Sequence, residues 1–133
     1  MAEFRFTLVT PERVLFDGNA QMVTLRSGNG DIAFLRGHAP FLGTVEICVL
    51  KITLPDDSVE LAAVHGGFVR AAGDSVAVLA GVAELASEVD LARAERALEN
   101  AERKVREFND AAEIAALARA RVRLDAGQVK RTR

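Results

Sequence analysis

The sequence predicts a β + α protein: an N-terminal antiparallel β-sandwich over residues 1–84, followed by a C-terminal two-helix antiparallel hairpin over residues 85–133. Three observations carry this. From Glu3 to about Ala83, short apolar runs alternate with a period near two and are broken by turn residues about every ten positions, the signature of an antiparallel sandwich or barrel. Near Glu84 the period lengthens, and Leu91, Ala94, Leu98, Ala101, Val105 and Phe108 recur three and four apart, one stripe of a helix. A chain of 133 residues, half of them apolar, has room for one core and at most one small appendage.

Taken in order, "EFRFTLV" sets Phe4, Phe6 and Leu8 on one face, "TPER" turns, and "VLFDGN" turns again. "QMVTLRSGNGD", "DIAFLRGHAP", "TVEICVLKITLPDDS", "SVELAAVHGG", "GFVRAAGDS" and "SVAVLAGV" then repeat the apolar-run-and-turn theme. "SGNGD" lacks the lysine and glycine spacing of a phosphate loop and reads as a hairpin turn. Gly66 and Gly67, inside a strand pattern, suggest a bulge or the close approach of another backbone.

In the helical part, Ser87 as N-cap with Asp90 three residues later resembles a capping box. Arg93 follows Asp90 at i+3, so the pair reads either as a helix start or as half of a ligand site. Asp110 with Glu113 opens the second helix, and Gly127 offers a stop. Ile114, Leu117 and Leu124 share one face of that helix and Arg119 and Arg123 the opposite one, while Arg121 falls within the apolar stripe. About 40 residues make a poor independent core, so the hairpin must dock on the sandwich or open and dock on another protein.

Several function classes drop out. The single cysteine, Cys48, excludes an internal disulfide and any multi-cysteine zinc site, and its alternating apolar context marks it as a buried small hydrophobe. No metal site is expected. No apolar run approaches the roughly 18 residues that span a bilayer, and the first residues lack a signal peptide's pattern, so the chain is expected to stay in the cytoplasm. His38 in "RGHAP" and His65 in "VHGGF" fall in different turns with no nucleophile or acid fixed nearby, which argues against catalysis. Residues 1–83 carry a net −3 and residues 84–133 a net +1, with the bases gathered from Arg119 onward. Such a basic arm seeks acidic partners, yet the mildly acidic β region lacks an RNA-binding aromatic pattern, so nucleic acid is not expected.

Across nearly the whole chain, "LVTPERVLFDG", "MVTLRSGNGD", "GHAPFLG", "GGFV" and "SVAVLAGVAE", in that order and followed by two helices, resemble the epsilon subunits of bacterial F-type ATP synthases. The resemblance implies a non-catalytic rotor subunit of the central stalk. Its sandwich would bind the gamma subunit and sit on the c-ring, coupling rotation to catalysis elsewhere. It would lie at the cytoplasmic face of the bacterial plasma membrane, held there only through the complex. The segment from Ser27 to Pro40 resembles the ring-facing loop, making Asp31 and His38 contact candidates. Arg36, where the family usually has proline, and Ala33, where it commonly has glycine, depart from the pattern. The hairpin would be a mobile regulator that, when extended, presses Arg121, Arg123 and Lys130 against the alpha and beta catalytic subunits and inhibits ATP hydrolysis. "VDLARA" matches the motif by which some members bind ATP in the closed hairpin, implying a site of Glu84, Asp90, Arg93, Arg119 and Arg123. No cofactor is required, ATP acting only as a regulator. The alternative is a free cytosolic ATP-binding sensor module using the same hairpin.

Overall fold

A computed structural model describes residues 3–28, 30–108 and 111–132, the side chains of residues 108 and 128–132 lying outside that description. Eight strands come first: β1 Phe4–Val9, β2 Val14–Ala20, β3 Met22–Ser27, β4 Gly30–Leu35, β5 Phe41–Thr53, β6 Val59–Ala72, β7 Ser75–Ala80 and β8 Ala83–Leu85. A short 3-10 turn, Ala86–Glu88, leads to helices α1, Leu91–Phe108, and α2, Ala111–Thr132. Hydrogen bonding orders the strands β2-β1-β7-β6-β5-β3-β4, with β8 on β6. Every pair is antiparallel except β1 with β7, which run parallel with Phe6 opposite Val76 and Leu8 opposite Val78.

The two long central strands make this sheet a sandwich. β5 and β6 keep one register from Phe41 opposite Ala71 to Thr53 opposite Val59, yet their inward positions change parity halfway. Val45 is buried and then Cys48, Leu50 and Ile52; on β6, Ala62 and Val64 give way to Val69 and Ala71. Side chains alternate strictly along a strand, so the switch requires the sheet to crease. The crease lies at Glu46 and Gly66, where pairing is interrupted and Gly66 adopts a φ of 93°, a conformation open to glycine. At Gly67 a Cβ would stand 2.2 Å from the carbonyl oxygen of Leu79, so close approach of another backbone explains that glycine.

Two expectations change here. "SVELAAVHGG" and "GFVRAAGDS" are one strand of 14 residues, because the glycines bend the chain without reversing it. "VLFDGN" is likewise no turn but lies in β2, with Gly18 paired opposite Phe6. Between the layers, Phe6, Leu8, Val23, Leu50, Ile52, Val64, Val69, Val76 and Val78 are almost completely buried, each stabilising the fold by about 1.5–3 kcal/mol. Cys48 is buried in this cluster as a free thiol, and burial raises its pKa.

The hairpin docks on the sandwich through α2. Val122 and Ala126 pack with Ala86 on Leu61, Ala63, Val49 and Val59 of the sheet, while Leu124 packs with Val89, Leu91, Ala94 and Leu98 on the α1 side. Helix α2 is therefore covered on two sides, and this displaces the expected apolar stripe: Leu124 is buried, but Ile114 is half exposed and Arg121, expected within the stripe, points to solvent. The helix start also moves. Asp90, not Ser87, caps α1, its Oδ1 accepting the backbone N–H of Arg93 at 3.1 Å, which satisfies one otherwise orphaned donor of the first turn. Ser87 instead sits in the 3-10 turn. Gly127 does not stop α2, which continues to Thr132. A Cβ there would come within 2.7 Å of Leu91 Cδ2 and 3.0 Å of Val89 Cγ1, so this glycine serves close packing. The proposed cap at Asp110 lies outside the described residues.

Candidate functional site

The cleft where β8, the linker and both helices meet gathers most of the ATP-site residues expected from sequence. Glu84 projects from β8, Asp90 caps α1, Arg93 stands in the first turn of α1 and Arg123 comes from α2. With Val82 and Glu88 they line a cavity of about 260 Å³. Arg119, one turn earlier on α2, is not in it; it lines an adjoining cleft of about 290 Å³ between the helices, together with Asn100, Lys104 and Glu113, and Arg123 is common to both.

Charges in the cavity are partly committed. Arg123 Nε donates to Glu84 Oε1 at 2.5 Å. The carboxylate of Glu88 receives both arms of the Arg13 guanidinium at 2.7 Å, and this bond to Arg13 holds its pKa below the ordinary value. Asp90 caps the helix. Arg93 and Arg119 make no ion pair among the described residues, leaving one uncommitted guanidinium in each cleft.

Beneath the Glu84–Arg123 pair lies His65. Expected in a turn, it is instead inside β6, since the glycines after it crease the strand without ending it; its N–H donates to the carbonyl of Val82 at 3.0 Å. Its side chain is only 2% exposed and its Nε2 is 3.8 Å from Glu84 Oε1, beyond hydrogen-bond reach. Neither ring nitrogen has a hydrogen-bond partner among the described residues. Burial first, then the charge of Arg123, push its pKa down against the opposing pull of Glu84.

The other expected contacts are dispersed. Asp31 on β4 is exposed and pairs with Arg26 across β3 at 3.3 Å. His38, just after β4, turns inward: Nδ1 donates to the Leu35 carbonyl at 2.9 Å, and the ring meets Phe4 and Phe34 edge to face at centroid distances of 5.6 and 6.1 Å. Arg121 is exposed, Arg123 faces the sandwich, and the Lys130 side chain lies outside the described residues.

One surface was missed in the sequence. The hairpin covers one outer face of the sandwich, and the other carries an apolar row across neighbouring strands: Phe68 opposite Leu79, Leu79 opposite Val9 and Val9 opposite Val14. Phe68, Leu79 and Val14 are each more than half exposed, as is Leu42. Alternation alone could have flagged these outward apolar residues, but not their alignment, which depends on strand order. The Arg13–Glu88 clamp was missed for a similar reason, its partners being 75 residues apart. Among the described residues there is no cluster of metal-binding side chains and no helix long and apolar enough to cross a membrane.

Comparison with known proteins gives a consistent set of relatives. Residues 3–86 match the model of the family described as ATP synthase, Delta/Epsilon chain, beta-sandwich domain. The ATP synthase epsilon chain of Streptomyces griseus is 42% identical over 129 residues, covering 97% of this chain and 98% of that one. That of Thermobifida fusca is 42% identical over 126 residues, covering 92% and 90%. Among solved structures, a chain of the Euglena gracilis mitochondrial ATP synthase, OSCP/F1/c-ring, superposes with a TM-score of 0.73 at 19% identity, over 99% of this chain and 81% of that one. A chain of the Tetrahymena thermophila mitochondrial ATP synthase central stalk/c-ring gives 0.51 at 19% identity, over 64% and 68%. At that identity the structural likeness speaks for the fold.

Proposed function

The chain belongs to the ATP synthase epsilon chains, and from that premise we propose that it is a rotor subunit of the central stalk, docked through its sandwich on the gamma subunit and the c-ring. It is a non-catalytic member of the complex. The observation that carries the reading is the bare apolar row of Phe68, Leu79, Val9 and Val14 with Leu42 nearby. Contiguous exposed apolar surface rimmed by polar residues marks a partner site, and this is the outer sandwich face that the protein's own hairpin leaves uncovered. We assign it to gamma. Asp31 and the loop carrying His38 then face the c-ring, and the protein sits at the cytoplasmic side of the membrane through its partners alone.

The hairpin is the regulatory part of this reading. In the docked form Arg123 is held against Glu84, so it can press on the catalytic subunits with Arg121 and Lys130 only after α2 leaves the sandwich. ATP would favour the docked form, with Glu84, Asp90 and Arg93 on one side and Arg119 with Arg123 offering guanidiniums to the phosphates. The two clefts that meet at Arg123 support a shared ligand, since either alone is at or below the usual ~300 Å³ lower bound of a small-molecule site. A ligand that holds one of two docked states shifts their populations by its differential affinity. To regulate, ATP must bind in the millimolar range or somewhat tighter, about −4 kcal/mol or a little more.

Two measurements test the reading. Copurification of the chain with gamma should be lost on Phe68→Glu, and retention would remove the assigned face. Calorimetric titration of ATP should show binding that Arg93→Ala and Arg119→Ala each weaken, and no heat up to several millimolar would return Asp90 and Arg93 to helix capping alone.

A further inference from the structure

The Glu84–Arg123 contact has a third member that neither rotor docking nor nucleotide binding uses. A single oxygen, Glu84 Oε1, has Arg123 Nε at 2.5 Å and His65 Nε2 at 3.8 Å. The imidazole is enclosed, with neither nitrogen hydrogen-bonded among the described residues. Charged groups face it from two other elements, Glu84 from β8 and Arg123 and Arg119 from α2, while its outward neighbours on β6, Leu61 and Ala63, are apolar and lie under the helix.

We propose that His65 is a proton-sensitive latch under the docked hairpin, and that protonating it releases α2 from the sandwich. With a neutral ring, one anion and one cation balance across the interface. A proton on Nε2 sets two cations against one carboxylate oxygen in an enclosed space, with the Arg119 guanidinium adding to the same side. Uncompensated charge in such surroundings is costly. Separation relieves it in one movement: α2 carries both guanidiniums away, and Glu84 remains on the sandwich to pair with the imidazolium.

The sign follows from linkage. Burial and Arg123 depress the His65 pKa in the docked form below its ordinary value of 6.5, so the undocked form binds more protons as pH falls below that value. Docking is therefore fully favoured above the His65 pKa of the undocked form, which the remaining Glu84 carboxylate holds at or above the ordinary value, and weakens by up to about tenfold per pH unit below it, levelling off once the docked form is itself protonated. The inference needs only the docked fold and stands apart from ATP binding.

The test is amide hydrogen exchange on the full-length chain, read at Val122 to Ala126 from about pH 7.5 to about pH 5 and corrected for the intrinsic exchange rate. In the wild type, exchange should accelerate below the ordinary histidine value; in His65→Gln it should stay flat across the same range. Equal acceleration in both proteins, or slower exchange at low pH, would overturn the proposal. A direct NMR titration of the His65 ring in the wild type decides independently of the variant's folding. Titration below the ordinary value supports the latch, and titration at or above it refutes it.

Discussion

Replacing Gly127 by alanine separates the stability of helix α2 from its docking. Alanine is the better helix former by about 0.8–1.0 kcal/mol, and this gain applies wherever α2 is helical, docked or free. A steric penalty arises only in the docked form, where α2 lies closed against the linker and the start of α1. The new methyl carbon would lie 2.7 Å from Leu91 Cδ2 and 3.0 Å from Val89 Cγ1, against a normal carbon–carbon contact of about 3.5–4.0 Å. Leu91 is half-buried and can turn aside, whereas Val89 is buried in the linker and has less freedom. Overpacking of this kind costs about 1–3 kcal/mol, which corresponds to a shift of about 5- to 150-fold in the docking equilibrium. The two contributions oppose each other in overall stability but not in docking. We expect Gly127→Ala to change the melting of the sandwich little while accelerating amide exchange at Val122, Leu124 and Ala126, with Gly127→Val going further. Slower exchange in Gly127→Ala would mean that the helix gain outweighs the overlap and would refute the close-packing account of this glycine.

Three further outcomes are expected. Asp90→Ala removes the cap on Arg93 N–H and should lower hairpin stability by about 1 kcal/mol, with Asp90→Asn near wild type; helical circular dichroism during thermal unfolding checks both. Arg13→Ala should return the Glu88 pKa toward its ordinary value of 4.5. In the wild type, whatever this pair contributes is present above that value and is lost as pH falls through the lower folded one, which a carboxyl NMR titration of Glu88 in both proteins would read. Leu79→Lys, on an exposed side chain, should leave stability within about 0.5 kcal/mol while abolishing copurification with gamma, and a thermal melt run beside the pull-down separates the two effects.

Much of the fold was legible because each segment carries its own period. The alternation of Phe4, Phe6 and Leu8 and the three-and-four spacing of Leu91, Ala94, Leu98 and Ala101 are local facts; the first three are buried, as are Ala94 and Ala101, while Leu91 and Leu98 are half-buried. What failed depended on neighbours distant in sequence. Gly127 looked like a helix stop because a glycine's packing partners, here Val89 and Leu91, cannot be read from its flanks. Arg121 seemed to interrupt an apolar stripe because the stripe was drawn for a helix covered on one side, whereas α2 is covered on two. Gly66 and Gly67 are legible as a bulge or close approach, but the segments on either side of them divide in sequence where the structure has one strand, since a bend and a turn use the same residue. In the candidate site, Glu84, Asp90, Arg93 and Arg123 were named from a motif and do share a cavity. The significance of His65 is not legible in sequence because it comes from Glu84 and Arg123, 19 and 58 positions away.

The place of β7 in the sheet has a mechanical consequence. The chain runs from β7 through β8 to the hairpin, and β7 is an interior strand, held by β1 on one side and β6 on the other. A pull on the hairpin therefore meets β8, three residues held on β6 alone, before it reaches β7, which is held by a ladder on each side. The Arg13–Glu88 clamp ties the β1–β2 turn to the same exit point, giving the load a second route into the sandwich. The exit of the hairpin is thus fastened at β8, at β7 and at the β1–β2 turn, and not by a single ladder.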